Sequence, residues 1–150
     1  MDPTTWLEHI RQSLHHFGYK LTPQREAIAT VLQETSSVYL SAEEVYLQVK
    51  AKNADVGLAT VYRTLEILTE IELIDRVMFE DGLMRYRLMY EKKEQSQYLL
   101  LCMQCGVTVE LNYQEIQTCF KEYPFYIQQT SLTIPGLCRE CYQHQHKKRD

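Results

Sequence analysis

Residues 4–17 space their apolar and polar positions as an amphipathic helix does, and Gly18 ends the pattern. In "LTPQREAIATVLQET" Thr22 is a good N-cap, Pro23 suits the first helical position, and Ile28, Val31 and Leu32 form an apolar stripe. "YLSAEEVYLQVKAKN" predicts the next helix. Ser41 and Glu44 make a capping box, Leu40 and Val45 fit a hydrophobic staple, and Val45, Leu47 and Val49 with Tyr46 give a partly buried helix ending near Asn53. Gly57 breaks the chain, and "LATVYRTLEILTEIE" predicts a helix over about 58–70. Its Val61, Leu65 and Leu68 face a core, and its Thr60, Arg63, Thr64 and Glu66 lie on other faces.

The period then shortens. "LIDRVMF", the turn "EDG" and "LMRYRLM" predict a β-hairpin. Helices followed by a hairpin in this order describe a winged helix-turn-helix, whose later helix enters the DNA major groove. The polar segment "MYEKKEQSQ" predicts a linker at 89–97, dividing a first domain, 1–88, from a second, 98–150. Strand, strand, helix and strand follow in "YLLLCMQC", "GVTVELN", "YQEIQTCFKEY" and "FYIQQTSLTIPGLC", and the tail "YQHQHKKRD" is too polar to bury. The fold class is therefore α+β.

Composition changes this picture little. Apolar residues make up 45% and charged residues 24%, as in a globular protein. No apolar run approaches the roughly 18 residues that cross a bilayer, and the N-terminus lacks a signal-peptide pattern. These features predict a soluble cytoplasmic protein with no membrane partner. The net charge is −4, so DNA binding would rest on a local basic surface and depend strongly on salt.

The five cysteines carry the chemistry. Cys102 and Cys105 form one CxxC and Cys138 and Cys141 a second, beyond the intervening segment 106–137. Two such pairs are the ligand pattern of a four-cysteine zinc site. Four protein ligands close the coordination sphere, so this zinc, one per chain, would be structural. The alternative is a pair of redox dithiols. Cys119, beside Ile116 and Phe120, reads as a buried small hydrophobe.

"KLTPQREAI", "LSAEEVY", "GLATVYRTLEILTE", the hairpin closing in "RYRL" and the two CxxC pairs resemble the ferric uptake regulator (Fur) family over 19–141. The resemblance implies a homodimeric, metal-responsive repressor with an N-terminal winged helix and a C-terminal dimerisation domain that holds structural zinc. It implies that Tyr62 and Arg63, with Thr60 beside them, face the bases, and that Lys20 and Arg25 hold the backbone or minor groove. The residue types agree. A tyrosine ring suits a thymine methyl, and an arginine can give guanine two hydrogen bonds.

The family's regulatory metal site is another matter. Its His and carboxylate positions fall here on Tyr39, Arg87, Gln97, Tyr98, Leu99, Gln117 and Thr130, and Glu110 alone keeps its ligand type. Leucine has no lone pair to give, arginine repels a cation, and amides and hydroxyls bind Fe2+ or Mn2+ feebly. The histidines, His9, His15, His16, His144 and His146, lie in the first helix or the tail. The resemblance sets Arg87 and Glu110 on opposite sides of that site, where a guanidinium can stand in for the cation. No nucleophile triad, phosphate loop or paired-carboxylate motif emerges, so neither an enzyme nor a small-molecule substrate is expected. Three functions compete: a DNA-binding regulator, a zinc-stabilised thiol redox switch, and an interaction module that has lost DNA. Tyr62, Arg63, Lys20 and Arg25 together favour the regulator.

Overall fold

The computed structural model describes residues 2–52, 55–89, 97–128 and 131–147, and the chain divides into two compact units, Met1–Tyr90 and Glu91–Asp150. The first unit runs α1 (Pro3–His16), α2 (Pro23–Glu34), β1 (Leu40–Ser41), α3 (Ala42–Ala51), α4 (Leu58–Glu70), β2 (Ile74–Met78) and β3 (Met84–Leu88). The hairpin β2–β3 is joined by β1, giving an antiparallel sheet in the order β1-β3-β2. Two residues are too few to show a period, which is why β1 has no signature in the sequence. It exists because Leu40 and Ser41 pair with Tyr86 and Arg85.

Local chemistry sets the helix starts. Thr22 Oγ1 accepts from the Arg25 N–H at 3.2 Å, ahead of Pro23. Ser41 Oγ accepts from the Glu44 N–H at 3.1 Å, and Glu44 Oε1 accepts from the Ser41 N–H at 3.1 Å, closing the capping box in both directions. Helix α3 ends at Ala51 with Lys52 as its cap, and Asn53 lies outside the described residues. In the hairpin turn Gly82 takes φ of 82°, while Asp81 accepts from the Leu83 N–H and grips Arg85 through two hydrogen bonds.

One core unites these elements: Trp6, Ile10 and Leu14 from α1, Ile28, Val31 and Leu32 from α2, Val45 and Val49 from α3, Val61, Leu65 and Leu68 from α4, and Ile74 and Leu88 from the sheet. Each fully buried leucine or isoleucine there contributes about 1.5–3 kcal/mol relative to exposure. Two expectations need correction. Leu47 is 64% exposed, because two positions from Val45 is the far side of a helix. Thr64 is 1% exposed, because it follows Val61 by three positions and shares its face.

The second unit runs β4 (Gln97–Cys102), β5 (Thr108–Leu111), α5 (Tyr113–Cys119), β6 (Ser131–Gly136) and α6 (Arg139–Lys147). Its sheet has the order β5-β4-β6, with β4 antiparallel to β5 and parallel to β6. Helix α5 stops at Cys119, short of the segment the sequence predicts. The polar tail is helical through Lys147 with no buried residue, and Glu140 in its first turn and His144, His146 and Lys147 in its last complement the helix dipole. Of the expected linker, 90–96 lies outside the described residues, and Gln97 already belongs to β4. Among the described residues no helix is long and apolar enough to cross a membrane.

Trp6, the chain's single tryptophan, is 4% exposed in the first core and therefore reports its unfolding. Ser41→Ala removes the capping-box acceptor and is expected to cost about 1 kcal/mol. Urea titration followed by Trp6 fluorescence measures this as a lower midpoint at unchanged slope.

Candidate nucleic-acid interface and metal centre

Helix α4 has two characters. Val61, Thr64, Leu65, Ile67 and Leu68 are buried, which fixes the rotation of the helix, while Thr60, Tyr62 and Arg63 are exposed near its N-terminal end. Gly57 caps α4 without a side-chain hydrogen bond, so the dipole's positive end is unshielded by any capping oxygen. Arg25, from the first turn of α2, faces the same region. Its Nη1 donates to the Lys20 carbonyl at 2.7 Å and its guanidinium lies 5.8 Å from the centre of the Tyr19 ring, so a flexible cation is held in one pose. An open concavity of about 430 Å³ between α2 and α4 is lined by Arg25, Gly57, Thr60 and Arg63, among others. Lys20 is exposed close by in sequence.

Tyr62 is not free to point where it likes. Its hydroxyl donates to Glu43 Oε1 on α3 at 2.5 Å. That bond is the leading cause holding the Glu43 carboxyl below its usual value and raising the Tyr62 phenol, so a carboxylate faces a protonated hydroxyl. Glu43 has no signature in the sequence, because it stands beside Glu44, whose capping role explains an acidic pair at a helix start.

Tyr39 and Arg87 are both buried. The Tyr39 hydroxyl donates to Asp75 Oδ2 at 2.7 Å, and its ring packs 6.2 Å from Phe79. Burial first, and the Asp75 carboxylate second, push the Tyr39 phenol far above its ordinary value, so it stays a neutral donor. Arg87 is 4% exposed and its Nε donates to the Ser36 carbonyl at 2.7 Å. Asp75 and Arg87 are register partners across β2 and β3. Asp75 and Ser36 are thus the partners that sequence reasoning missed, since nothing local marks a residue whose role is set by a cross-strand neighbour. In the second unit, Glu110 stands exposed on β5 opposite Leu99, Tyr98 is buried, and Gln117 accepts from the Ile127 N–H at 3.2 Å. Thr130 lies outside the described residues.

The four CxxC thiols come together. Cys102 and Cys105 flank the β4–β5 turn, and Cys138 and Cys141 the β6–α6 junction. The Met103 N–H donates to Gly136 and the Tyr142 N–H to Cys138, which ties the two knuckles locally. All four sulfurs lie within 4.8 Å of one another, and Cys105 and Cys138 are 3.8 Å apart. A tetrahedral zinc with Zn–S bonds of about 2.3 Å needs sulfurs about 3.8 Å apart, so the set fits. Protonation is uneven across the set, with Cys102 lowered and Cys105 and Cys141 raised. Burial alone would raise the Cys102 thiol, but backbone N–H groups of Cys105, Cys138 and Gln104 bring it down to about 6. Hydrogen bonding to Cys138 leads in pushing Cys141 up to about 12. Four crowded sulfurs become thiolates together only around a cation. Cys119 is exposed at the end of α5, against the buried position expected of it, because the helix ends there and none of the described residues of its unit covers it.

The pattern describing the ferric uptake regulator family matches residues 16–134. The ferric uptake regulation protein of Bacillus subtilis is 42% identical over 139 residues, covering 90% of this chain and 93% of its own. Among solved structures, the ferric uptake regulator of Vibrio cholerae superposes with a TM-score of 0.61 at 29% identity, over 86% of this chain and 99% of that one. That of Helicobacter pylori, described as having three functional metal-binding sites, gives 0.65 at 25%, over 95% of each. With its helices, hairpin, exposed α4 face and four-cysteine cluster in place, the chain belongs to the ferric uptake regulator family of transcription regulators.

Proposed function

We propose that this protein is a homodimeric, sequence-specific repressor that reads DNA with α4, carries a structural zinc, and binds its operator without an exchangeable regulatory cation. The observation that carries the reading is the exposed N-terminal half of α4, with Thr60, Tyr62 and Arg63 beside the fixed guanidinium of Arg25. Arg63 can meet guanine O6 and N7 with two hydrogen bonds, and the Tyr62 ring a thymine methyl. Arg25 and Lys20 supply sequence-independent phosphate contacts that set the register. With a net charge of −4, affinity rests on these few cations.

Two features of the second unit support its share of the work. Zinc at Cys102, Cys105, Cys138 and Cys141 would clamp the β4–β5 turn to the β6–α6 junction, and four protein ligands leave no open position for a substrate. Leu100, Val109 and Ile134 form an exposed apolar row across all three strands, suited to a second copy of the chain. Loss of cation dependence is supported by Tyr39 and Arg87. The first has its hydroxyl committed to Asp75, and the second places a permanent positive charge where the resemblance puts a metal ligand. Among the described residues, the group of His, Cys, Asp and Glu side chains close enough to hold a metal is the four-cysteine cluster.

Three measurements test these claims. Purified protein is expected to hold one zinc per chain by elemental analysis, and Cys138→Ser to lose it together with the dimer in sedimentation. Zinc-free protein cycling between dithiols and disulfides would put the thiol redox switch in its place. Arg63→Ala is expected to cost about 1–3 kcal/mol of base discrimination, whereas Lys20→Ala should weaken all sequences alike and flatten the salt slope by about one, both read by anisotropy across a salt series. Stripping exchangeable metal with a chelator that leaves the zinc in place is expected to leave operator affinity unchanged. Restoration of lost binding by Fe2+ or Mn2+ would establish a working regulatory site instead.

A further inference from the structure

A phenol has one proton to give, and Tyr62 gives it to Glu43. The two residues are exposed on neighbouring helices, Glu43 in the first turn of α3 and Tyr62 in the first turns of α4, with 39% of Tyr62 accessible. A carboxylate on a surface that must approach phosphates is unfavourable for affinity, since like charges repel across an interface. Its place beside the base-reading residues calls for a function that offsets that loss.

We infer that Glu43 is a specificity-determining, positioning residue of the DNA interface, which fixes the Tyr62 ring as a thymine reader and disfavours non-cognate DNA. The inference rests on the reading of α4 as the recognition helix. With its proton committed, the Tyr62 hydroxyl has no hydrogen left for a phosphate oxygen, guanine O6 or N7, or thymine O4. What it offers outward is lone pairs, which accept from adenine N6 or cytosine N4, and the apolar edge of the ring, which suits the thymine C5-methyl. An A·T pair satisfies both at once, with the methyl on the ring and the adenine amino group on the oxygen. A G·C pair has no methyl, and its guanine acceptors oppose the hydroxyl's lone pairs. The same carboxylate repels the backbone wherever the cognate contacts are not made to outweigh it. Specificity then comes from a repulsive element alongside an attractive one.

The fixation is also conformational. Glu43 sits in the first turn of α3, next to the capping box that Ser41 and Glu44 close. Tyr62 is anchored at the other end by the buried face of α4. Both ends of the hydrogen bond thus sit on rigid helix starts, and the ring is held before DNA arrives.

The test uses the full-length zinc-loaded protein. A binding site is first selected from a random duplex pool, and each of its thymines is replaced by uracil in turn, which deletes only the methyl. Wild-type protein is expected to lose roughly fourfold in affinity at one thymine per half-site, the value of one buried methyl. Tyr62→Ala should abolish that penalty. Glu43→Ala should reduce it and also tighten binding to random-sequence DNA about threefold or more, from loss of one repulsive charge. Glu43→Gln keeps an acceptor for the hydroxyl without the charge, so it should retain the uracil penalty while tightening random-sequence binding. Tyr62→Phe combined with Glu43→Ala should reduce the uracil penalty no further than either change alone. Circular dichroism melting of each variant guards against misfolding. The proposal is overturned if folded Glu43→Ala and Glu43→Gln keep both the wild-type uracil profile and the wild-type affinity for random DNA. Failure of the underlying reading looks different. In that case the wild-type protein selects no sequence, or Tyr62→Ala leaves the uracil profile unchanged.

Discussion

What α4 can present to a partner is set by how deeply its other face is buried. Val61, Leu65 and Leu68 are each 1% exposed or less, so the helix can neither roll nor slide without opening cavities among α2, α3 and the sheet. That constraint makes the positions of Tyr62 and Arg63 properties of the core and not of the surface. The net charge of the chain is negative, so the placement of its exposed cations matters. The cations beside α4 are few, but Arg25 is held by the Lys20 carbonyl and the Tyr19 ring, so it keeps little rotamer freedom.

The second unit solves a different problem. Among the described residues its buried apolar side chains, Tyr98, Leu99, Leu101, Cys102 and Ile116, make a small core compared with that of the first unit. Units of that size need a staple, and the four converging cysteines are the natural place for one. The two CxxC turns are placed by the sheet itself, because β4 and β6 are parallel and bring Cys102 level with Gly136, two residues before Cys138. The backbone N–H groups that lower the Cys102 thiol belong to these turns, so the fold prepares the thiolate that a cation would complete.

Much of this was legible in the residue pattern, and the failures have physical causes. The capping box, the Thr22–Pro23 start and the hairpin turn are local chemistry, readable within four residues. The convergence of the CxxC pairs was legible because a four-sulfur cluster of this kind restricts both residue type and spacing. Long-range partners left no trace. Glu43 could not be told from an ordinary first-turn acid, nor Asp75 from a hairpin's polar face, because each acquires its role from a residue 19 or 36 positions away. Leu47 and Cys119 misled for the converse reason: hydrophobic type suggested burial, whereas helix phase and the end of α5 placed them outside.

The same distinction bears on regulation. A bound cation is a removable charge, and a protein that depends on one can be switched by its supply. A buried guanidinium cannot be removed, and its burial is tolerable only while its donors are matched, as Nε is by the Ser36 carbonyl. Tyr39 adds a neutral donor whose partner, Asp75, lies opposite Arg87 across the hairpin. Together these groups tie β2, β3 and the turn before β1 with polar contacts. Arranged this way, the Tyr39 hydroxyl and the Arg87 guanidinium brace the winged helix as a direct consequence of folding, through partners supplied by the chain itself.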